Sequence, residues 1–381
     1  MSLLAANNSS SEQKEYEAAG IVYKKADLVD DAALKTILRE TAMDAWVRLS
    51  QQHEPSYFNS SYLFGRTETI LAVKHYADHP VVGMCSSTTM PVHINGEAVT
   101  AGYLGELRVM PAYRNKPAVI RYGFKSVQLL NHPDYELAYW FTSIAKENSP
   151  ARRLLEANLN GMPIYQPQGE MITYALSSRL GKQNLEMQSA TPEDIPGLVR
   201  FYNKTASHYQ YSPVLSEDWL ANLNGENGLV LNDFYLLKEQ GKIRACLALW
   251  DQRAIKQTVV RGYRFPLNLL RKPYNLYAKL TRRVALPAIN KQIDYIFIAF
   301  LAIDDASAER FNDVIQAALY MIGKRNAQIG MLGLSADNPS SVKLQSYPKQ
   351  TYHTCIESVT WPNQAQPDLK NLPVQPEIAI I

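Results

Sequence analysis

The chain has 381 residues, a net charge of +3, and 46% hydrophobic and 10% aromatic residues. These values fit a globular protein with full cores and two domains of ordinary size, and they exclude a polyelectrolyte or a low-complexity chain. No apolar run reaches the roughly 18 residues of a membrane-spanning helix, and Cys85, Cys246 and Cys355 lie too far apart for a disulfide framework or a zinc cluster.

Residues 1–17 are polar and rich in Ser and Asn, without the apolar core of a signal peptide, and read as a disordered tail on a cytoplasmic protein. Ile21–Tyr23 reads as a first strand. Asp30 then caps a helix that carries Leu34, Ile37, Leu38, Met43, Trp46 and Val47 at helical spacing. Ile70–Val73 and Val81–Met90 are strands, and Asn95-Gly96 is a tight hairpin turn into a strand that ends at Val109. His75 and His79 stand four apart, but Asp78 and Pro80 place them in a turn, so no metal is expected. A turn at Met110–Lys116 leads into an apolar helix, a strand over Leu137–Ile144, and a short helix opened by Asn148. Met171–Leu176 closes the unit, and Ser177–Asn184 reads as a linker.

The pattern then recurs. Thr191-Pro192-Glu193-Asp194 is a strong helix start, and Phe234–Lys238 and Ile243–Trp250 form a hairpin around Gln240-Gly241. Tyr295–Ile303 repeats the long strand, Ile329–Leu334 the second strand, and Asn338 the helix cap. A duplicated unit implies two domains of one fold, at 18–180 and 186–362, with a C-terminal tail at 363–381. Strands alternating with helices, plus hairpins, predict an α+β class: a mixed central sheet flanked by helices in each unit.

The order of elements resembles that of the GNAT acyltransferases. Leu107–Lys116 is similar to that family's acyl-CoA strand and pyrophosphate loop. Glu147–Leu155, with Gly161–Tyr165 behind it, is similar to its second cofactor segment, and Ala190–Leu198 to the opening of such a domain. The resemblance implies that Leu107 and Val109 meet the pantetheine arm of acetyl-CoA or another acyl-CoA. It places Arg114, Asn115, Lys116, Ala118 and Val119 at the pyrophosphate, with Asn148 and Arg152 from the second segment. Free N–H groups at a helix start suit that phosphate. The chain departs from the family where Pro117 and Val119 replace the usual glycines, and where Leu155 and Gln345 replace the usual acid tyrosine. Tyr165 and Tyr352 are the nearby substitutes. Glu106, the sole carboxylate beside the expected thioester, is the candidate base, directly or through water. In unit two Asp304 and Asp305 stand where the phosphate loop would begin, so that copy is expected to shape the acceptor site or to bind nothing.

Between 252 and 293 there are ten Lys/Arg and no acidic residue. Leu267, Leu269, Leu270, Leu276 and Leu280 lie among them and predict an amphipathic helix. Arg271, Lys272, Arg282 and Arg283 are the candidate contacts to an anionic partner, an acyl carrier protein or a membrane surface, with nucleic acid ranking lower. The expected function is acyl transfer from acyl-CoA, first of all acetyl-CoA, to an amine on a small molecule or protein. The alternatives are a catalytically silent scaffold and an acyltransferase that takes its donor from a carrier protein.

Overall fold

The long apolar runs become strands of one sheet. The computed structural model describes residues 15–43, 46–60, 63–74, 81–130, 137–304 and 308–381. Unit one runs β1 (Glu15–Ala18), β2 (Ile21–Lys25), α1 (Asp31–Glu40), β3 (Val47–Gln52), β4 (Arg66–Lys74), β5 (Val81–Ile94), β6 (Glu97–Val109), α2 (Pro117–Leu130), β7 (Trp140–Ala145), α3 (Ser149–Leu155) and β8 (Ile164–Ser177). Unit two runs β9 (Gln188–Ser189), α4 (Ile195–Ala206), α5 (Glu217–Ala221), β10 (Phe234–Glu239), β11 (Lys242–Trp250), β12 (Gln257–Tyr263), α6 (Leu267–Leu280), β13 (Tyr295–Ile303), α7 (Ala308–Lys324), β14 (Ile329–Ser335), α8 (Pro339–Lys343) and β15 (Lys349–Thr360).

Thirteen strands form one sheet in the order β1-β2-β4-β5-β6-β7-β15-β8-β14-β13-β11-β10-β9. Only the pairs β6/β7 and β13/β14 are parallel among those described. The closing strands are exchanged. β8 pairs with β14 of unit two, and β15 lies between β7 and β8. Strand alternation then sorts the faces. Ile21, Tyr23, Ile70, Ala72 and Leu104 pack under α2, whereas Val22, Leu71, Val73 and Met84 pack under α1. In unit two α7 buries Phe311, Val314, Ile315, Leu319 and Ile322. At about 1.5–3 kcal/mol for each large apolar side chain, that face alone outweighs any cap or surface ion pair. The largest cluster crosses both units, joining Met90, Val92, Tyr103 and Phe141 to Trp250, Phe297 and Phe300.

Three stretches depart from the sequence reading. The first helix stops at Glu40, and Val47–Gln52 is instead strand β3, paired with β12 in a separate two-stranded ribbon. Long-range pairing of β-branched and polar residues wins there over helical spacing. Within the expected N-terminal tail, Glu15–Ala18 pairs with β2. The 363–381 segment packs against both units, bonding to Asn95 of unit one and to Phe300 and Ser335 of unit two, with Val374 and Ala379 buried.

Candidate functional site

The site forms where β6 breaks its ladder. Ser86 faces Gly105 and Met84 faces Arg108, so Glu106 and Leu107 share the single partner Cys85. Glu106 adopts φ 49°, a left-handed conformation rare outside glycine. Such a bulge leaves the extra peptide out of the ladder and turns it toward a ligand. Beside it β6 and β7 part company. Their parallel pairing covers only Gly102–Leu104 with Trp140–Thr142, though β6 runs on to Val109 and β7 to Ala145. Thr142 donates to the Leu104 carbonyl at 2.7 Å, and Tyr103 and Ser143 join hydroxyls at 2.7 Å, which pins the vertex. An extended amide ligand can pair with the freed backbone of β6.

On the α1 side the Glu106 carboxylate sits in a polar network. Tyr57 donates to it at 2.6 Å and shares a second contact with Thr69 at 2.8 Å. His53 Nε2 lies 3.1 Å from Glu106 Oε1, in ion-pair rather than aligned hydrogen-bond geometry. The other ring nitrogen, Nδ1, meets Ser60 Oγ at 2.6 Å. Burial by itself would raise the Glu106 carboxyl. His53, then Lys256 and the Tyr57 hydroxyl, outweigh that and hold it at about 2. Burial pulls the Lys256 ammonium below its usual range, while Glu106 acts the other way. Burial and the Glu106 charge push the Cys85 thiol up to about 12, so it stays a neutral thiol.

On the α2 side an apolar pocket opens along Leu107–Val109 and runs between Ile70, Cys85 and Phe124. The turn that follows exposes Arg114, Asn115, Lys116 and Ala118. Arg114 Nε bonds back to the Val109 carbonyl at 3.1 Å, and the Lys116 ammonium lies 5.0 Å from the Tyr113 ring centroid. The Val119 N–H donates to the Lys116 carbonyl, and the Val119 side chain is buried in the core. Asn148 caps α3 by accepting from the Ala151 N–H at 3.3 Å, and Arg152 pairs with Glu156 at 2.8 Å. Tyr165 is 5% exposed and packs against Phe124 in the cluster under α2 that also holds Trp361. Burial pushes its hydroxyl well above the ordinary range. The structure therefore brings Glu106 together with His53, Tyr57 and Lys256, and leaves Tyr165 in the core of the other face. Tyr352, half exposed, lies where the charges of Arg108 and Glu147 reach it.

Unit two carries the same bulge. Ala248 faces Ala299 and Cys246 faces Ala302, with Phe300 at φ 51°. Here the chain's own tail fills the gap. Glu377 accepts the Phe300 N–H at 2.8 Å. Gln375 accepts from the Ser335 N–H at 2.8 Å and donates to the Gly333 carbonyl at 2.9 Å. A Cβ on Gly333 would fall 2.4 Å from Ile378, so glycine is required for the tail to seat. Asp304 is held by Arg244 and Arg310 at 2.7 and 3.0 Å. Asp305, His75 and His79 lie outside the described residues. Among the described residues no cluster of His, Cys, Asp or Glu is arranged to hold a metal.

Of the four cations expected at a partner surface, Lys272 and Arg282 are exposed, and Arg271 and Arg283 are half-buried. Sequence reasoning missed His53, Tyr57 and Lys256. They lie far from Glu106 in the chain, and no local spacing announces them.

No family model matches the sequence, and no curated protein sequence matches it. The fold does have counterparts. A structure of Saccharomyces cerevisiae N-myristoyltransferase with bound myristoyl-CoA matches with a TM-score of 0.60 at 10% identity, covering 96% of this chain and 87% of that one. A second structure of that enzyme with bound myristoyl-CoA gives 0.59 at 10% identity, covering 96% and 91%. A GCN5-related N-acetyltransferase from Anabaena variabilis gives 0.44 at 12% identity, covering 89% and 72%. The chain has the two-unit GNAT fold, a mixed sheet flanked by helices.

Proposed function

We propose that this chain is an acyl-CoA-dependent N-acyltransferase whose unit one is the catalytic copy. The observation that carries this reading is the contrast between the two bulges. At Glu106 the bulge opens onto a polar network and an apolar cavity, whereas at Phe300 the tail closes it. The N-myristoyltransferase structures that share the fold hold myristoyl-CoA.

The donor fits the residues present. The freed strand Glu106–Val109 would pair with the pantetheine arm, and the cavity under α2 would take the acyl chain. Arg114 and Lys116 would meet the phosphates at the α2 N-terminus, where Pro117 offers no N–H but suits the first turn. The amine acceptor approaches from the α1 side. Its nitrogen attacks the thioester carbon, the C–S bond breaks, and the proton leaves nitrogen for the His53–Glu106 pair. Glu106, which Tyr57 holds at 2.6 Å and which lies 3.1 Å from His53 Nε2, receives the proton as part of that pair, directly or through a water. The bulge N–H stabilises the developing oxyanion, a contribution of about 3–4 kcal/mol in comparable sites. A thiolate can leave without a tyrosine acid, so Leu155 at the usual acid position is tolerable.

Thermal unfolding with acetyl-, octanoyl- and myristoyl-CoA tests the reading. A donor at 100 times its dissociation constant adds about 2.7 kcal/mol. Thiol release in the presence of amines and N-terminal peptides then identifies the acceptor. If no acyl-CoA of any length shifts unfolding, the donor assignment is wrong. If donors bind and no amine releases thiol, the silent scaffold is the better reading.

A further inference from the structure

Helix α6 turns its apolar side outward. Leu269, Leu276 and Leu280 are 68%, 64% and 77% exposed, and Phe265 just before the helix is 75% exposed. Steps of four and seven place the three leucines on one stripe. Leu270 and Tyr277 flank that stripe on one side, while Lys272 and Lys279 flank it on the other. The inner side is thin. Ala278 is its only buried residue, Asn275 makes two bonds to the Leu286 backbone at 2.9 and 2.7 Å, and Tyr274 donates to the Val284 carbonyl at 3.3 Å. Nearby, Trp46 is 59% exposed, and its carbonyl accepts from the Arg264 N–H at 3.0 Å.

Soluble helices point their apolar stripe at the core, as α7 does. Large side chains left in water forgo about 1.5–3 kcal/mol each, and exposed apolar patches of this kind mark interaction sites. Here the patch is flanked by Lys272 and Lys279, with Arg282 just after the helix, within a segment that has no acidic residue from 252 to 293. We propose that α6, with Phe265 and Trp46, docks this protein onto an anionic lipid surface. The helix would lie in the interface, with its leucines among the acyl chains and its cations at the headgroups. An acidic carrier protein would satisfy the cations and leave the leucine stripe in water. With 14 residues the helix is about 21 Å long, too short to cross. No helix among the described residues is long and apolar enough to cross a membrane. The docking does not depend on the acyl-transfer reading. It does bear on it, because β12 links α6 to Lys256 across seven residues, or about 23 Å.

The test is co-sedimentation of the full chain with phosphatidylcholine vesicles, with and without phosphatidylglycerol. Native protein should pellet with the anionic vesicles, less so as salt rises, since the screening length is about 8 Å at physiological strength. Leu269→Gln with Leu276→Gln and Leu280→Gln should reduce binding at least tenfold while thermal unfolding stays unchanged. Lys272→Glu with Lys279→Glu and Arg282→Glu should remove the preference for the anionic lipid. A blue shift of tryptophan emission on vesicles, lost in Trp46→Phe, would be the second readout. Three results would overturn the proposal. The native chain stays in the supernatant with both vesicles. Binding survives the leucine changes, which leaves a purely charge-driven contact. The chain dimerises through the leucines and the dimer ignores vesicles.

Discussion

Replacing Glu357 by glutamine tests how the core under α3 is built. Glu357 lies on β15 between Thr142 of β7 and Pro167 of β8, and is 0% exposed. Among the described residues neither of its oxygens finds aligned hydrogen-bond geometry. Burial, then the charge of Glu156, push its carboxyl from 4.5 up to about 7, against the pull of Arg152. Between these values the folded chain keeps a proton that the unfolded chain has released, so stability falls as pH rises through this window. At about 1.4 kcal/mol per pH unit the fall amounts to about 3 kcal/mol, complete above pH 7. Glutamine does not titrate, and its buried amide carries the same unsatisfied polar burden as the protonated acid at every pH. Comparing the change between about pH 5 and about pH 8 therefore isolates the ionisation. Glu377, also raised to about 7, leaves a residual slope of the same sign in both proteins. Urea unfolding read by tryptophan emission should show Glu357→Gln losing markedly less stability over that interval than native protein. Equal losses would mean that Glu357 is already ionised and paired in the native fold.

Glu106→Gln should lower turnover by about 10²-fold or more, the usual scale of acid–base catalysis, with His53→Gln close behind. If the two act as one unit, the double variant falls no further than the worse single, and additive losses in thiol release would separate them. Arg114→Ala with Lys116→Ala should weaken CoA binding at least about tenfold, or about 1.4 kcal/mol; unchanged calorimetric affinity would place the phosphates elsewhere. Native protein should take up one acyl-CoA per chain, because Glu377 and Gln375 hold the second gap; a stoichiometry of two would refute the plug. Gln375→Ala should cost about 1–3 kcal/mol in unfolding, since two backbone groups of β14 lose their partners, and should leave the affinity for acyl-CoA unchanged.

The repeat was readable because its signals are local. Alternating apolar residues mark the strands ending at Val109 and Ile303. Asn148 and Asn338 both cap the helices expected of them, and leucines at helical spacing mark α6. The exchange of β8 and β15 was not readable, because any apolar strand pairs equally well with several neighbours until the whole sheet is assembled. Nor was the bulge. Glu106 and Phe300 are ordinary residues in a left-handed conformation, imposed by the register on either side. Trp46 and Val47 continue the helical spacing of α1 and were misread for that reason. His53 reaches Glu106 from before β4 and Lys256 from the other unit, so only the folded chain brings them together.

The two units carry the same bulge but close it differently. Unit two has the bulge, the parted strands and the Asn-capped helix, but its tail supplies Glu377 and Gln375 where a ligand's amides would pair. The turn after its long strand begins with Asp304, held by two arginines. Unit two also reaches the Glu106 network through the segment after β11. Lys256 acts on Glu106, β12 pairs with β3 just before His53, and α6 extends from β12 to the surface. One ribbon thus connects the polar network at Glu106 to the exposed leucines. A change of register in β3/β12 would displace His53 and α6 together, so the proposed docking face and the proposed site at Glu106 share the same two strands.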